Sequence, residues 1–250
     1  VMTEIVGTMS SVLRTGVGLN TRAGAGRFLQ RLCMRRGRLV RAHAGKLFSM
    51  LLSSASTDAS ALVRSNFVAA IAAIARYATE PRVNALALEI VRLAQSEAEK
   101  ERAVAAQLAL ELSRSAPDAL RPQATLILPL AFVGAYDTEA AGSKKWNEVW
   151  DENAGGVTNT LRIYFDEIRD ITTKYLMAKQ WQRKRQAAEV FSAIASKAPD
   201  VMSTKANEIM GMLVAELPGR IWEGKTSLLT AVAKVMESSA KDINVAMGVV

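Results

Sequence analysis

Apolar residues recur along this chain at the spacing of one face of an α-helix. Leu47, Met50 and Leu51 follow this period in one segment, and Leu161 and Phe165 follow it in another. Apolar positions at i, i+3, i+4 and i+7 are typical of an amphipathic helix. Alternating runs bounded by Asn-Gly or Asp-Gly turns, the pattern of a β-hairpin, are absent from the sequence. The pattern therefore predicts an all-α fold.

One predicted helix, residues 63–78, is apolar on nearly every side. Phe67, Val68, Ile71 and Ile74 are separated there only by alanines. A helix on a protein surface shows a polar face, whereas a helix that is hydrophobic all round is buried. We therefore expect this helix to have neighbours on all sides, with alanines that let the backbones approach closely.

Internal repetition explains how such a helix is covered. Five segments share one form, in which a basic residue lies at the start of an alanine-rich apolar helix. They are TRAGAGRFLQRLCM from Thr21, VRSNFVAAIAAIARYA from Val63, ERAVAAQLALELSRSA from Glu101, KRQAAEVFSAIASKA from Lys184 and KTSLLTAVAKVMESSA from Lys225. Their first residues are 42, 38, 83 and 41 positions apart, so the long interval covers two units.

A two-helix unit of about 40 residues falls in the range of HEAT and armadillo repeats. Asp58, Val63 and Arg64 match the Asp…Val-Arg signature of HEAT repeats, in which the acid and the base can bridge adjacent turns. We predict an α-solenoid of about six HEAT-like helical hairpins over residues 1–250, a single segment of a much longer chain. Such solenoids usually bind other proteins along their exposed surface.

One repeat near residues 126–156 is predicted to be irregular. LILPLAFVGAYD (126–137) is typical of a first helix, but TEAAGSKKWNEVWDENAGG (138–156) predicts a loop and a short segment in place of a full second helix. Trp146 and Trp150 share one helical face of that segment. They either fill the gap left by the short helix or form an exposed anchor for a partner, since Trp is enriched at binding hot spots.

Candidates for catalytic chemistry are few. The single cysteine, Cys33, excludes a multi-cysteine zinc site, and the single histidine, His43, excludes a site with two histidines. Cys33 lies in an apolar pattern with Phe28, Leu29 and Leu32, which indicates a buried structural thiol rather than half of a Cys–His pair. We expect no catalytic residue, no metal, no cofactor and no small-molecule substrate.

The segment GRIWEGKT, residues 219–226, formally fits the phosphate-loop pattern G-x-x-x-x-G-K-[ST]. A phosphate loop follows a β-strand, whereas the preceding NEIMGMLVAELP has the spacing of a helix. Ile221 and Trp222 are bulky at positions where backbone N–H groups would have to surround a phosphate. We interpret the match as a turn between helices. The competing hypothesis, a nucleotide hydrolase that uses Lys225, predicts nucleotide binding that Lys225→Ala abolishes.

Positive charge is concentrated near the start of the chain. The formal net charge is +8, and residues 14–46 hold nine basic side chains and no acidic one. Arg27, Arg31 and Arg35 lie four apart on one predicted helical ridge, and Arg38 lies just beyond. This charge attracts acidic partners or phosphates. A solvated basic face, or pairing of these charges with acids elsewhere in a longer chain, fits the sequence equally well. Nucleic acid is not expected, because no aromatic residues are interleaved for base stacking.

Seven stretches, in the same order, resemble the C-terminal part of the proteasome adaptor and scaffold proteins, very large eukaryotic HEAT-repeat proteins. They are GLNTRAGAGRFL (18–29), GKLFSMLLS (45–53), LPLAFVGAYD (128–137), WNEVWDENAGG (146–156), LRIYFDEI (161–168), WQRKRQAAEVFSAIA (181–195) and LPGRIWEGKTSLLTAVAKV (217–235). Residues 79–116 are more generic. The resemblance implies a non-enzymatic scaffold that binds the regulatory and core particles of the proteasome, tethers them and modulates proteasome activity in quality control, in the cytoplasm and the nucleus.

Other HEAT-repeat scaffolds, such as nuclear-transport receptors and phosphatase scaffold subunits, share this architecture. The fold alone does not choose among them. No membrane insertion is expected, because no run approaches the roughly 18–20 apolar residues of a spanning helix. The identity of the partner captured by the chain would separate these hypotheses.

Overall fold

The computed structural model describes residues 2–15, 18–218 and 224–239. These residues form α-helices and two 3-10 segments, with no β-strand among them. The all-α prediction is therefore confirmed. The chain divides into two compact units, Val1–Ile127 and Leu128–Val250, each with its own set of packed helices.

The described part of the first unit contains three helical hairpins. Its helices are α1 (Met2–Arg14), α2 (Leu19–Arg36), α3 (Ala44–Thr57), α4 (Ala61–Ala75), α5 (Glu80–Ala94), α6 (Glu99–Ser115) and α7 (Pro117–Leu120), with 3-10 segments at Gly37–His43 and Arg121–Gln123. The pairs α1–α2, α3–α4 and α5–α6 pack as hairpins, and the second helices α2, α4 and α6 pack side by side. This layering is the arrangement predicted for HEAT-like repeats.

Helix α4 is the one predicted to be apolar all round, and it is buried as expected. It packs against α2, α3 and α6. Val63, Phe67, Val68, Ile71 and Ile74 are each at most 1% exposed. Burying each of these side chains stabilises the fold by about 1.5–3 kcal/mol relative to leaving it exposed. The helix begins after Ser60, whose hydroxyl accepts a hydrogen bond from a first-turn backbone N–H.

Small residues let α2 and α4 approach closely. Gly26 on α2 faces the backbone of Asn66 on α4, and a Cβ at Gly26 would lie 2.8 Å from the Asn66 carbonyl oxygen. Gln30 on α2 donates a hydrogen bond of 3.0 Å to the same carbonyl. The seam between the two second helices therefore has no room for a larger side chain at Gly26.

Polar contacts at the α3–α4 turn differ in detail from the expected bridge. The Asp58 carboxylate accepts a hydrogen bond of 2.7 Å from Arg22 on α2, in the preceding hairpin. Arg64 instead donates to the backbone carbonyl oxygens of Asp58 and Ala59, both at 2.9 Å. The acid therefore links two hairpins, and the base closes its own turn. Arg102 repeats the second contact with carbonyl oxygens in the α5–α6 turn.

The described part of the second unit also contains three hairpins. Its helices are α8 (Ala124–Gly134, within which the division between the units falls), α9 (Ala140–Asn153), α10 (Val157–Ile163), α11 (Phe165–Leu176), α12 (Trp181–Lys197), α13 (Pro199–Ser203), α14 (Ala206–Ala215) and α15 (Lys225–Ser238). Helix α12 packs against α11 and α15, and α14 packs against α15. The five repeated sequence segments thus correspond to the second helices α2, α4, α6, α12 and α15.

The prediction of a loop and a short segment at 138–156 is wrong, because α9 is a full helix of 14 residues. Its start is stabilised by two side chains that the sequence pattern did not reveal. Asp137 accepts a hydrogen bond of 3.0 Å from the backbone N–H of Glu139, and Glu139 accepts one of 3.4 Å from that of Ala141. Side-chain acceptors at a helix start satisfy otherwise unpaired N–H groups, so the small residues that follow remain helical.

Candidate protein-interaction surface

Helix α2 presents three of the predicted arginines on one exposed ridge. The helix buries Ala23, Leu29 and Cys33 against its neighbours, whereas Arg27, Arg31 and Arg35 are exposed. These arginines share a ridge because residues four apart lie nearly in line along a helix. Each step of four residues rises by about 6 Å. The ridge is thus a row of guanidinium groups on a rigid, packed helix.

The 3-10 segment Gly37–His43 extends this basic surface beyond the helix. Gly37 and Val40 are buried, three residues apart, as the three-residue period of a 3-10 helix requires. Gly37 lies against the ring of Tyr77, where a Cβ would come within 2.2 Å of ring carbons. Arg38 and Arg41, which share another side of the segment, are exposed.

The exposed cations of this region have no carboxylate within ion-pair distance among the described residues. They are Arg27, Arg31, Arg35, Arg36, Arg38, Arg41 and Lys46, hereafter the basic surface. Arg22, by contrast, pairs with Asp58 at the α3–α4 turn. The basic surface therefore carries uncompensated positive charge, whose attraction reaches about 8 Å into physiological salt.

Three exposed apolar side chains beside these arginines are not evident from the sequence pattern. Phe28 is 45% exposed, Met34 73% and Leu39 53%. The apolar pattern around Cys33 groups Phe28 with the buried residues. In the structure Phe28 is exposed, and its neighbour Leu29 is buried instead. The exposure of Phe28 and Met34 could have been predicted from the helical period. They lie three residues before and three after Arg31, and therefore about 60° to either side of this exposed arginine. The surface is thus both basic and partly apolar.

A groove of about 470 Å³ between α3 and α5 has two basic and two acidic side chains in its lining, Arg82, Arg92, Glu89 and Glu101, so its charges balance. Phe48 and Leu52 line it on α3, and Arg92 lies on the α5 side. Arg92 is 2.8 Å from Glu89 and 3.7 Å from Glu101, so this arginine is already paired within the groove. The basic surface on α2 is therefore the stronger candidate for a charged partner.

Trp146 and Trp150 do not form an exposed anchor, because each is only 3% exposed. That interpretation is wrong. The Trp150 ring packs on Phe132 of α8 with centroids 4.9 Å apart, and Trp146 lies against Gly134 at the end of α8. Both rings fill the hairpin core, although the helix that carries them is not short. The Trp150 indole N–H has no hydrogen-bond partner among the described residues.

Cys33 lies in the interior and is poorly suited to nucleophilic chemistry. Burial raises the pKa of its thiol to about 11, although the positive charge of Arg76 acts in the opposite direction. A thiolate, rather than a thiol, is the reactive species. Among the described residues, no group of three His, Cys, Asp or Glu side chains is placed to hold a metal ion.

The phosphate-loop look-alike follows a helix, as the sequence predicted. Helix α14 occupies Ala206–Ala215, where a nucleotide-binding fold would have a β-strand. Residues 219–223 of the motif lie outside the described part of the chain. Lys225 is the first residue of α15. Across the described residues, every helix falls short of the length or the apolar content needed to cross a membrane.

Comparisons with known proteins agree with this architecture. Residues 1–95 match the family described as proteasome adapter and scaffold protein ECM29, HEAT-repeat domain. The human proteasome adapter and scaffold protein ECM29 is 28% identical over 97% of this chain, and the proteasome component ecm29 of Schizosaccharomyces pombe is 28% identical over 88%. The chain spans only 14% and 13% of the lengths of these relatives.

A solved structure of Kap121p bound to Pho4p has a similar fold. It shares 14% sequence identity and a TM-score of 0.51, and the match covers 95% of this chain and 26% of that one. At this identity the likeness concerns the fold alone. The family match, the two relatives and the stacked hairpins are consistent with one another. The chain is similar to the HEAT-repeat domain of the ECM29 proteasome adapter and scaffold proteins over residues 1–95, and to two relatives of that name over most of its length.

Proposed function

We propose that this chain is a non-catalytic scaffold segment that binds the proteasome through an acidic surface of that assembly. The observation that carries the proposal is the basic surface on α2 and its 3-10 extension, in a chain whose relatives are named for proteasome association. Seven exposed cations lack a carboxylate partner among the described residues. A partner that supplies carboxylates would neutralise them.

The packing of α2 supports a binding role. The ridge stands on a helix that packs against α4 and is linked to the α3–α4 turn by the Arg22–Asp58 pair at 2.7 Å. Because the backbone under the ridge is held by its neighbours, binding does not require the helix to order itself. Preorganisation of this kind lowers the entropic cost of association.

The proposal extends to the roles implied by the family resemblance. We infer that the protein containing this segment tethers the regulatory and core particles of the proteasome and modulates proteasome activity in quality control. It would act in the cytoplasm and the nucleus, without a cofactor and without enzymatic turnover. The buried, protonated state expected for Cys33 and the helix ahead of Lys225 support a non-catalytic role.

Capture of purified proteasomes by the immobilised chain tests this proposal. The combined variant Arg27→Glu, Arg31→Glu and Arg35→Glu should weaken capture by about 10- to 100-fold at low salt. This estimate assumes the loss of three exposed ion pairs with the partner, each worth up to about 1 kcal/mol. The loss should shrink in high salt, where charges are screened. Unchanged affinity of this variant would leave the ridge as solvated surface.

A matched control separates a local effect from an effect of net charge. Lys100, Lys144 and Lys179 are also exposed, and their combined replacement by glutamate lowers the net charge of +8 by the same amount. The control variant should capture proteasomes as the wild type does. In a parallel capture from a cell extract, recovery of a small GTPase or a phosphatase in place of proteasome subunits would contradict the proposal. Nucleotide binding that Lys225→Ala abolishes would contradict the non-catalytic role.

A further inference from the structure

The arginine ridge has a geometry that selects among acidic partners. Arg27, Arg31 and Arg35 leave α2 from consecutive turns, so their stems repeat about every 6 Å. Carboxylates at every fourth residue of another α-helix repeat at the same distance. Alternate residues of an extended strand repeat at about 6.6–6.8 Å. Over the two steps of the ridge a strand falls about 1.2–1.6 Å out of register, whereas a helix stays in register.

Apolar side chains lie on both sides of the ridge. Phe28 precedes the central Arg31 by three residues and Met34 follows it by three, so they lie about 60° to its two sides. Both side chains are substantially exposed, at 45% and 73%. Phe28 also borders a cleft that includes Ile5 and Met9 of α1. A partner with apolar groups beside its carboxylates would cover this exposed area, whereas a purely acidic partner would leave it in water.

From these observations we propose that the α2 ridge binds an acidic amphipathic α-helix. Its carboxylates would lie at positions i, i+4 and i+8, opposite Arg27, Arg31 and Arg35. Its apolar residues at i+1 and i+7 would contact Phe28 and Met34. Charge pairs would set the register and the salt dependence, and apolar contacts would add affinity that salt does not remove. This inference rests on the proposed function only where it assigns the acidic partner helix to a proteasome subunit.

Two isomeric peptides test the proposal directly. Both are capped at their ends and contain three glutamates and two leucines in the same alanine- and glutamine-rich background, long enough to be helical. The ridge peptide has glutamates at i, i+4 and i+8 and leucines at i+1 and i+7. The scattered isomer distributes the same residues around the helix. Fluorescence anisotropy with the whole chain should show the ridge peptide binding about tenfold more tightly at low salt, since only this isomer forms all three pairs.

Variants of the chain separate the two kinds of contact. The triple Arg→Glu variant should abolish the preference for the ridge peptide at low salt. Met34→Ser should weaken binding of the ridge peptide a few-fold at low and high salt alike, because it removes an apolar contact. Leu88→Ser is the matched control, since Leu88 is 52% exposed on α5, away from the ridge, and its replacement should have no effect. Circular dichroism verifies that each variant remains folded.

Other results would overturn the inference. Equal affinity for the two isomers would exclude a helix-matched ridge. Tighter binding to vesicles of phosphatidylserine and phosphatidylcholine than to the ridge peptide would assign the surface to a membrane instead. Proteasome capture without any isomer preference would contradict this inference and leave the proposed function standing. Isomer preference without proteasome capture would contradict the proposed function alone.

Discussion

Replacing Gly26 by alanine would drive a methyl group into the backbone of the neighbouring helix. A Cβ at Gly26 would lie 2.8 Å from the carbonyl oxygen of Asn66 and 2.9 Å from its carbonyl carbon, whereas ordinary contacts of a Cβ lie at 3.4–4 Å. Because the facing atoms belong to the α4 backbone, a change of side-chain rotamer cannot relieve the clash. Helices α2 and α4 would have to separate by about half an ångström.

Two contributions of opposite sign determine the size of the effect. Alanine favours a helix over glycine by about 1 kcal/mol. Overpacking typically costs about 1–3 kcal/mol, and a gap of about 0.5–1 Å removes a quarter to a half of each dispersion contact that it opens. The seam between α2 and α4 is long and fully packed, so the loss should exceed the gain. We expect Gly26→Ala to lower the free energy of unfolding by about 1–2 kcal/mol.

Gly24→Ala provides the matched control on the same helix. A Cβ at Gly24 has no neighbouring atom within 4 Å, so this variant gains helix propensity without a clash. It should raise the free energy of unfolding by up to about 1 kcal/mol. Urea unfolding followed by circular dichroism gives the midpoint of each variant. A shifted midpoint reports a change in stability if the dependence of the unfolding free energy on urea concentration is unchanged. If Gly26→Ala unfolds at the same urea concentration as Gly24→Ala, or at a higher one, the close approach of α2 and α4 is refuted.

Three further predictions concern the interior and the turns. Gly134→Ala would place a Cβ 2.4 Å from the indole of Trp146, so it should lower the thermal midpoint by about 3–6 °C. The control Gly142→Ala, whose Cβ meets no atom within 4 Å, should not lower it. Equal midpoints for the two variants would contradict the α8–α9 packing. Burial alone would raise the pKa of Asp58, but its hydrogen bond from Arg22 and a backbone N–H hold that pKa below its usual value. The ionised carboxylate therefore stabilises the fold above about pH 4, and this contribution is lost as the pH falls through the lowered pKa. Asp58→Asn should flatten the acid limb of a stability-versus-pH curve, and an unchanged limb would show that the pair is not formed. Because burial raises the pKa of Cys33 to about 11, a thiol reagent at pH 8 should label the native chain slowly and the urea-unfolded chain rapidly; rapid labelling of the native chain would contradict the burial.

The features predicted correctly are those encoded within a single helix or its repetition. The helical period, the two-helix unit and the buried character of α4 depend on residues a few positions apart. The ridge of Arg27, Arg31 and Arg35 also follows from local spacing, because residues four apart always share a helix face. The HEAT-like assignment follows from the length of the unit, which repetition makes visible along the chain.

Features set by contacts between distant residues could not be read from local patterns. Asp58 pairs with Arg22, 36 positions earlier, rather than with the nearby Arg64. Helix α9 is complete because Asp137 and Glu139 cap it and its two tryptophans pack on α8. Apart from α9, the sequence by itself thus determined which segments are helical, and it determined where positive charge accumulates, since both are local properties. Only the tertiary structure decided which side chains are covered and which acid meets which base, because burial and pairing depend on the helices that pack alongside.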